Sequence, residues 1–266
     1  MTALAAVANA LFLGTGVYIY LALIRQIGRR ANTSAETEAR TFAWPDAIFA
    51  GILAVLFSLN ALVDSPRPDK LLLRTNDLVA NALISIALFV VVAAFLTLRG
   101  RGVSLMAGFG KLPFWRSLTT AVILLFAAYP LIILADLITQ RFLGGASSKQ
   151  TIVELFSGSQ SLAQRVIIIV LAVAIAPLVE EFLFRFFIYG VLRRYFGRVV
   201  GLLCNAALFA AVHAHVPSAA PLFVLGVCFT IAYEWSGSIV VTMTMHSLFN
   251  SMTLVALAFP DRFPQP

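Results

Sequence analysis

The sequence predicts an all-α, polytopic integral membrane protein with about eight transmembrane helices. Three observations carry that prediction. Of 266 residues, 61% are hydrophobic and 12% charged, and the mean hydropathy is +0.94; soluble domains run at roughly 45–50% apolar and about 25% charged. Several apolar runs exceed the roughly 18 residues that mark a bilayer-spanning helix. The runs are also uniformly apolar rather than alternating. That pattern belongs to helices, whose backbone groups are satisfied within the segment, and not to barrel strands.

In chain order, the runs bounded by charges fall at about 3–24, 43–63, 77–98, 117–139, 166–192, 199–214, 219–234 and 238–259. The first, MTALAAVANALFLGTGVYIYLALIRQIGRR, has no basic residues ahead of its apolar stretch and no clear cleavage site behind it, so it reads as a retained span. The last three are short and tightly joined. The whole of 1–266 reads as a single membrane domain, with generic spans over 1–140 and no internal repeat. Two connections are amphipathic. VSLMAGFGKLPFWRS (103–117) suits a segment anchored at headgroup level, and QTIVELFSGSQSLAQR (150–165) reads as an interfacial loop, with a lid over a cavity as the alternative.

The net charge of +7 does not point to nucleic acid, because the basic residues fall mostly in short connections between apolar runs. There they set topology, and the expected partner is the lipid bilayer. Assigning alternate connections to alternate sides places Arg25, Arg29, Arg30, Arg40, Arg99, Arg101, Lys111, Arg116, Arg193, Arg194 and Arg198 together. The opposite side receives Arg67, Lys70, Arg74, Arg141, Lys149, Arg165 and Arg262, a bias that favours both termini outside. Cys204 and Cys228 lack metal or redox spacing and read as buried small apolar residues.

The fifth run contains VEEFLFRF, from Val179 to Phe186, with Glu180, Glu181 and Arg185 inside a span. Each charge at the centre of such a helix costs roughly 2.5–3.5 kcal/mol, so the cost has to be offset. Glu181 and Arg185 are four apart and neutralise each other on one face. Glu180 projects about 100° away and needs a partner from another element. Pro177, just before, leaves the carbonyl of Val173 without its helical bond, and opened backbone at depth suits a wet cavity. All three histidines follow: His213 and His215 end the sixth run, and His246 lies in the eighth with Asn250 one turn on. His215, Glu234 and Asp136 read as interfacial residues without a catalytic part.

A glutamate, two histidines and an amide suffice to hydrolyse a peptide bond with water. Glu180 would take a proton from water and deliver it to the leaving amine, and His213 would orient the water. His246 and Asn250 would donate to the oxyanion. The same groups allow a metal reading, in which His213 and His246 with a carboxylate hold zinc and leave it an open position. There is no HExxH, and Ser247 and Ser251 lack the order of a serine triad. Metal-free and zinc versions both fit these residues.

Glu180-Glu181 with Arg185 matches an EExxxR motif, Phe209 to His213 an FxxxH, and His246 to Asn250 an HxxxN, in that order on successive apolar segments. In these motifs the chain resembles the CPBP family of intramembrane proteases, which includes CAAX prenyl endopeptidases and bacterial relatives linked to bacteriocin processing and self-immunity. Pro177, the Pro221-Leu-Phe and Gly226 run and the Gly237-Ser step agree with it. The resemblance implies a catalytic core over 165–255, with Glu180, Glu181, His213, His246 and Asn250 at the site and Arg185 in support. It also implies a membrane-anchored protein or peptide substrate, CAAX-like and C-terminally prenylated in one version, in the cell membrane if the source is bacterial. Phe186 stands where many members have glycine, a ring expected to narrow the local cavity. Two other classes use such residues: a non-catalytic membrane scaffold or immunity factor that keeps the constellation for structure, and a proton-coupled carrier. The carrier would need a polar through-route, yet the first four spans offer little beyond Asn9, Asn60, Asn81 and Asp136.

Overall fold

The computed structural model describes residues 3–33, 42–63, 75–142, 156, 159, 161–259 and 262, and no strand occurs among them. The elements are α1 (Ala3–Thr33), α2 (Trp44–Val63), α3 (Thr75–Leu98), a short α4 (Val103–Ala107) and α5 (Phe114–Phe142). A helical stretch, Leu162–Val212, follows, then α8 (Ala219–Ser236) and α9 (Ile239–Ala258). Within Leu162–Val212 only Gly197 leaves helical geometry, at φ +77° and ψ 174°. It divides α6 (162–196) from α7 (198–212), and a left-handed φ of this kind is open to glycine without strain.

A helix lies over each of the eight expected runs. α1 runs to Thr33 rather than 24 because Arg25, Arg29 and Arg30 are good helix formers that continue it into the interface. Six helices are long and apolar enough to cross a membrane, Leu162–Val212 being one of them, and Trp44–Leu59 is a shorter apolar helix. The outward faces carry exposed Leu11, Ile52, Leu83, Phe126 and Leu203, a surface that lipid tails solvate. The protein is an integral, multi-pass membrane protein.

The middle of α6 is buried all round, from Phe182 through Tyr189, as a helix at the centre of a bundle should be. Its rings pack on those of α2 and α3: Phe184 against Phe57 at 5.8 Å, Phe187 against Phe49 at 5.7 Å, and Phe182 against Phe89 at 4.6 Å between centroids. Phe186 packs against Phe42 and Phe182 in the same layer. The ring expected to narrow a substrate cavity instead fills this packing layer.

One end of the bundle is tied by polar contacts. Asp46, fully buried at the start of α2, meets Arg99 at 3.0 Å and Arg101 at 3.7 Å beyond the end of α3. Glu234, expected to be merely interfacial, is almost wholly buried and held by Arg193 and by Arg198 at 3.0 Å, across the α6–α7 bend. Arg30 Nη1 donates to the Trp235 carbonyl at 2.8 Å, and Trp235 Nε1 donates to Gln26 at 2.8 Å. The segment after α4 lies beneath the α8–α9 turn: a Cβ on Gly108, whose φ is +76°, would stand 2.0 Å from the Gly237 carbonyl oxygen. The amphipathic stretch 103–117 is therefore partly a buried clasp, while Phe114 and Trp115 stay exposed as interfacial anchors. The stretch 150–165, read as an interfacial loop with a lid as the alternative, lies largely outside the described residues. Cys228 is buried as expected, but Cys204 is on the outer surface, where its neighbours along α7 face lipid.

Candidate active site

Pro177 has no amide hydrogen, and the helix around it does not stay regular. Two π-helical segments, Leu171–Ile175 and Phe182–Ile188, flank the six-residue α-helical piece Ala176–Glu181 that carries both glutamates. Such wide turns occur mostly at functional sites, because they free backbone groups and re-aim side chains. One freed group is used here: Asn250 Nδ2 of α9 donates to the Ala172 carbonyl at 2.7 Å.

The two glutamates differ in environment as their angular separation requires. The Glu181 side chain is 0% exposed and that of Glu180 is 29% exposed. They meet opposite nitrogens of one imidazole. His246 Nδ1 lies 2.9 Å from Glu181 Oε1, and His246 Nε2 lies 3.9 Å from Glu180 Oε2. Glu181 Oε2 is 3.3 Å from Arg185 Nε. An ion-paired carboxylate only accepts, so His246 Nδ1 carries a proton and donates it, leaving Nε2 turned to Glu180. The expected pairing of Glu181 with Arg185 is present, and Glu181 has a second task that the sequence did not suggest: it orients His246.

His213 caps the end of α7, and its Nδ1 lies 2.7 Å from the Phe209 carbonyl. A carbonyl only accepts, so this bond fixes the proton on Nδ1 and leaves Nε2 as an acceptor. The chain turns sharply after it: Ala214, at φ +49°, is the one non-glycine residue with positive φ among the described residues. His215 Nδ1 lies 2.7 Å from the Ser218 hydroxyl. His213 and His246 flank one ring, that of Phe209, at 4.9 and 6.1 Å between centroids.

Direct contacts therefore join Glu180, Glu181, Arg185 and His246. His213 joins them through Phe209, and Asn250 sits one turn beyond His246, anchored to Ala172. The residues weighed for zinc do not assemble a ligand set: no group of three or more His, Cys, Asp or Glu that could hold a metal ion occurs among the described residues. His246 Nδ1 and His213 Nδ1 are engaged by Glu181 and Phe209, which leaves Nε2 of each ring as the nitrogen open to a ligand.

The fold and this cluster define a class: a helical membrane protein that holds carboxylates, a guanidinium and imidazoles together inside its bundle. Residues 162–252, about a third of the chain, match the family model described as type II CAAX prenyl endopeptidase Rce1-like, which supports the expected resemblance to the CPBP family over this stretch. At the level of the family, that description is of a protease of the CAAX type. No curated protein and no solved structure matches the chain.

Proposed function

We propose that the protein hydrolyses a peptide bond of a membrane-anchored, CAAX-like substrate, with residues 165–255 as the catalytic core. The observation that supports this most is the partly exposed Glu180 facing the free nitrogen of an imidazole whose other nitrogen is held by a buried carboxylate. Glu180 is the group within reach of water. It takes a proton as the water oxygen attacks the scissile carbonyl carbon, and His213 Nε2 accepts the water's second hydrogen bond. The tetrahedral oxyanion receives hydrogen bonds from the Asn250 amide and from His246 Nε2. In that role His246 is protonated on both nitrogens, and Glu181 stabilises the cation. Each well-placed donor contributes roughly 2.7–4 kcal/mol to the barrier reduction. Glu180 then passes its proton to the amide nitrogen as the C–N bond breaks, giving a carboxylate and an amine.

The test supplies purified protein with prenylated and unprenylated C-terminal peptides and compares wild type with Glu180→Ala and His246→Ala. Cleavage is expected to fall in both variants, and preference between the two peptides reports whether the lipid is read. Undiminished cleavage in both variants would refute the assignment.

A further inference from the structure

Arg185 heads the largest fully buried side chains among the described residues, and it carries a charge. It is 0% exposed, and none of its Nε, Nη1 and Nη2 atoms has a hydrogen-bond partner among the described residues. Its Nε meets Glu181, which leaves the rest of the guanidinium to its surroundings. Those are three phenyl rings: Phe209 at 4.2 Å, Phe229 at 5.3 Å and Phe184 at 6.0 Å from Cζ to ring centroid. The electron-rich face of an aromatic ring attracts a cation within about 6 Å, most strongly where water is excluded. Phe209 is the closest of the three, fully buried, and the ring that also contacts both imidazoles. Phe229 touches His246 as well, at 5.5 Å.

We propose that Phe209, with Phe229 and Phe184, forms an aromatic cage that positions the Arg185 guanidinium, and that Phe209 is thereby a positioning residue for the reaction. The cage solves a problem specific to this site. Two carboxylates stand side by side on α6, and an arginine offers five donors to whichever is in reach. Glu180 Oε2 has no hydrogen-bond partner, so it is a ready acceptor for a mobile guanidinium. An Arg185 that swung across would bridge both acids and occupy the proposed base. The rings satisfy the cation by their faces and give it no competing acceptor, so its ion pair stays on Glu181. The same Phe209 fixes the His213 tautomer through its backbone carbonyl and sets the spacing of His213 and His246 through its ring.

This rests on the hydrolytic reading, and the experiment separates the two. Full-length protein in lipid nanodiscs carries 4-fluoro-, 3,5-difluoro- or 3,4,5-trifluorophenylalanine at position 209, which drains the negative ring face with little change in size. The peptide kcat is expected to fall stepwise, roughly tenfold across the series, as for a desolvated cation–π contact, with KM changed less than about twofold. Resistance to unfolding falls in the same order. The same series at Phe186, a buried ring with no cation over it among the described residues, leaves both unchanged. If no peptide is cleaved even by wild type, the hydrolytic reading fails while the stability series still tests the cage. A flat kcat and flat stability across the series at position 209, or equal declines at position 186, would overturn the proposal.

Discussion

Glu181→Gln is the sharpest test of how charge is held inside this bundle. The substitution keeps size and keeps an oxygen able to accept from His246 Nδ1, so it removes the negative charge and little else. Arg185 is then left charged, buried and without a counter-ion. At 3.3 Å the pair's attraction is about 5 kcal/mol at an effective dielectric of about 20. Breaking one partner of a buried pair costs roughly 3–5 kcal/mol in other proteins, and the two figures agree. Replacing both members, as in Glu181→Gln with Arg185→Met, removes the stranded charge, and a thioether packs well among phenyl rings. The double variant is expected to be at least about 2 kcal/mol more stable than Glu181→Gln alone. Denaturant titration in mixed micelles, read by tryptophan fluorescence, completes the four-membered cycle. The double variant should still cleave poorly, because His246 has lost the carboxylate that orients it. A Glu181→Gln protein within about 1 kcal/mol of wild type would refute the reasoning, as would a double variant that simply sums the two single losses.

Asn250→Ala removes both the amide bonded to Ala172 and a proposed oxyanion donor, and a peptide assay should show kcat lower by about 10²–10³-fold. Gly108→Ala would press a methyl group onto the Gly237 carbonyl in a backbone conformation unsuited to alanine, whereas Gly110→Ala meets nothing within 4 Å. The first should lose about 2 kcal/mol or more and the second stay within about 0.5 kcal/mol in the same titration. Ala214→Gly relieves a left-handed alanine, so it should raise stability by a few tenths to about 1 kcal/mol, while any loss of cleavage would report a less firmly held His213.

Length and apolarity made the spans legible, because lipid leaves the backbone no alternative to helix. The short sixth run is informative in this respect. Its 198–212 helix is only about 22 Å long at 1.5 Å per residue, so its terminal His213 falls at the depth of the site and not at the far surface. The site's residue types were also legible, since polar groups in hydrocarbon stand out. What could not be read was pairing between helices. Glu181 and His246 are 65 positions apart, and nothing in either motif says which nitrogen meets which acid. The Pro177 signal did announce freed backbone, but not that Asn250 would take the Ala172 carbonyl through a π turn. Glu234 looked interfacial because its two arginine partners lie 36 and 41 residues earlier.

The bend at Gly197 carries a consequence for how the site is held together. Glu180, Glu181 and Arg185 belong to α6 and Phe209 and His213 to α7, two helices joined by a single non-helical residue and packed so closely that a Cβ on Gly201 would stand 2.8 Å from the Arg193 nitrogen. His246 and Asn250 belong to a second hairpin, folded at Gly237. The site therefore lies between two hairpins, joined by the bonds from His246 to Glu181 and from Asn250 to Ala172 and, at one end, by the ion pairs of Glu234 with Arg193 and Arg198. Separating the two hairpins would have to break those bonds and the Glu234 ion pairs together.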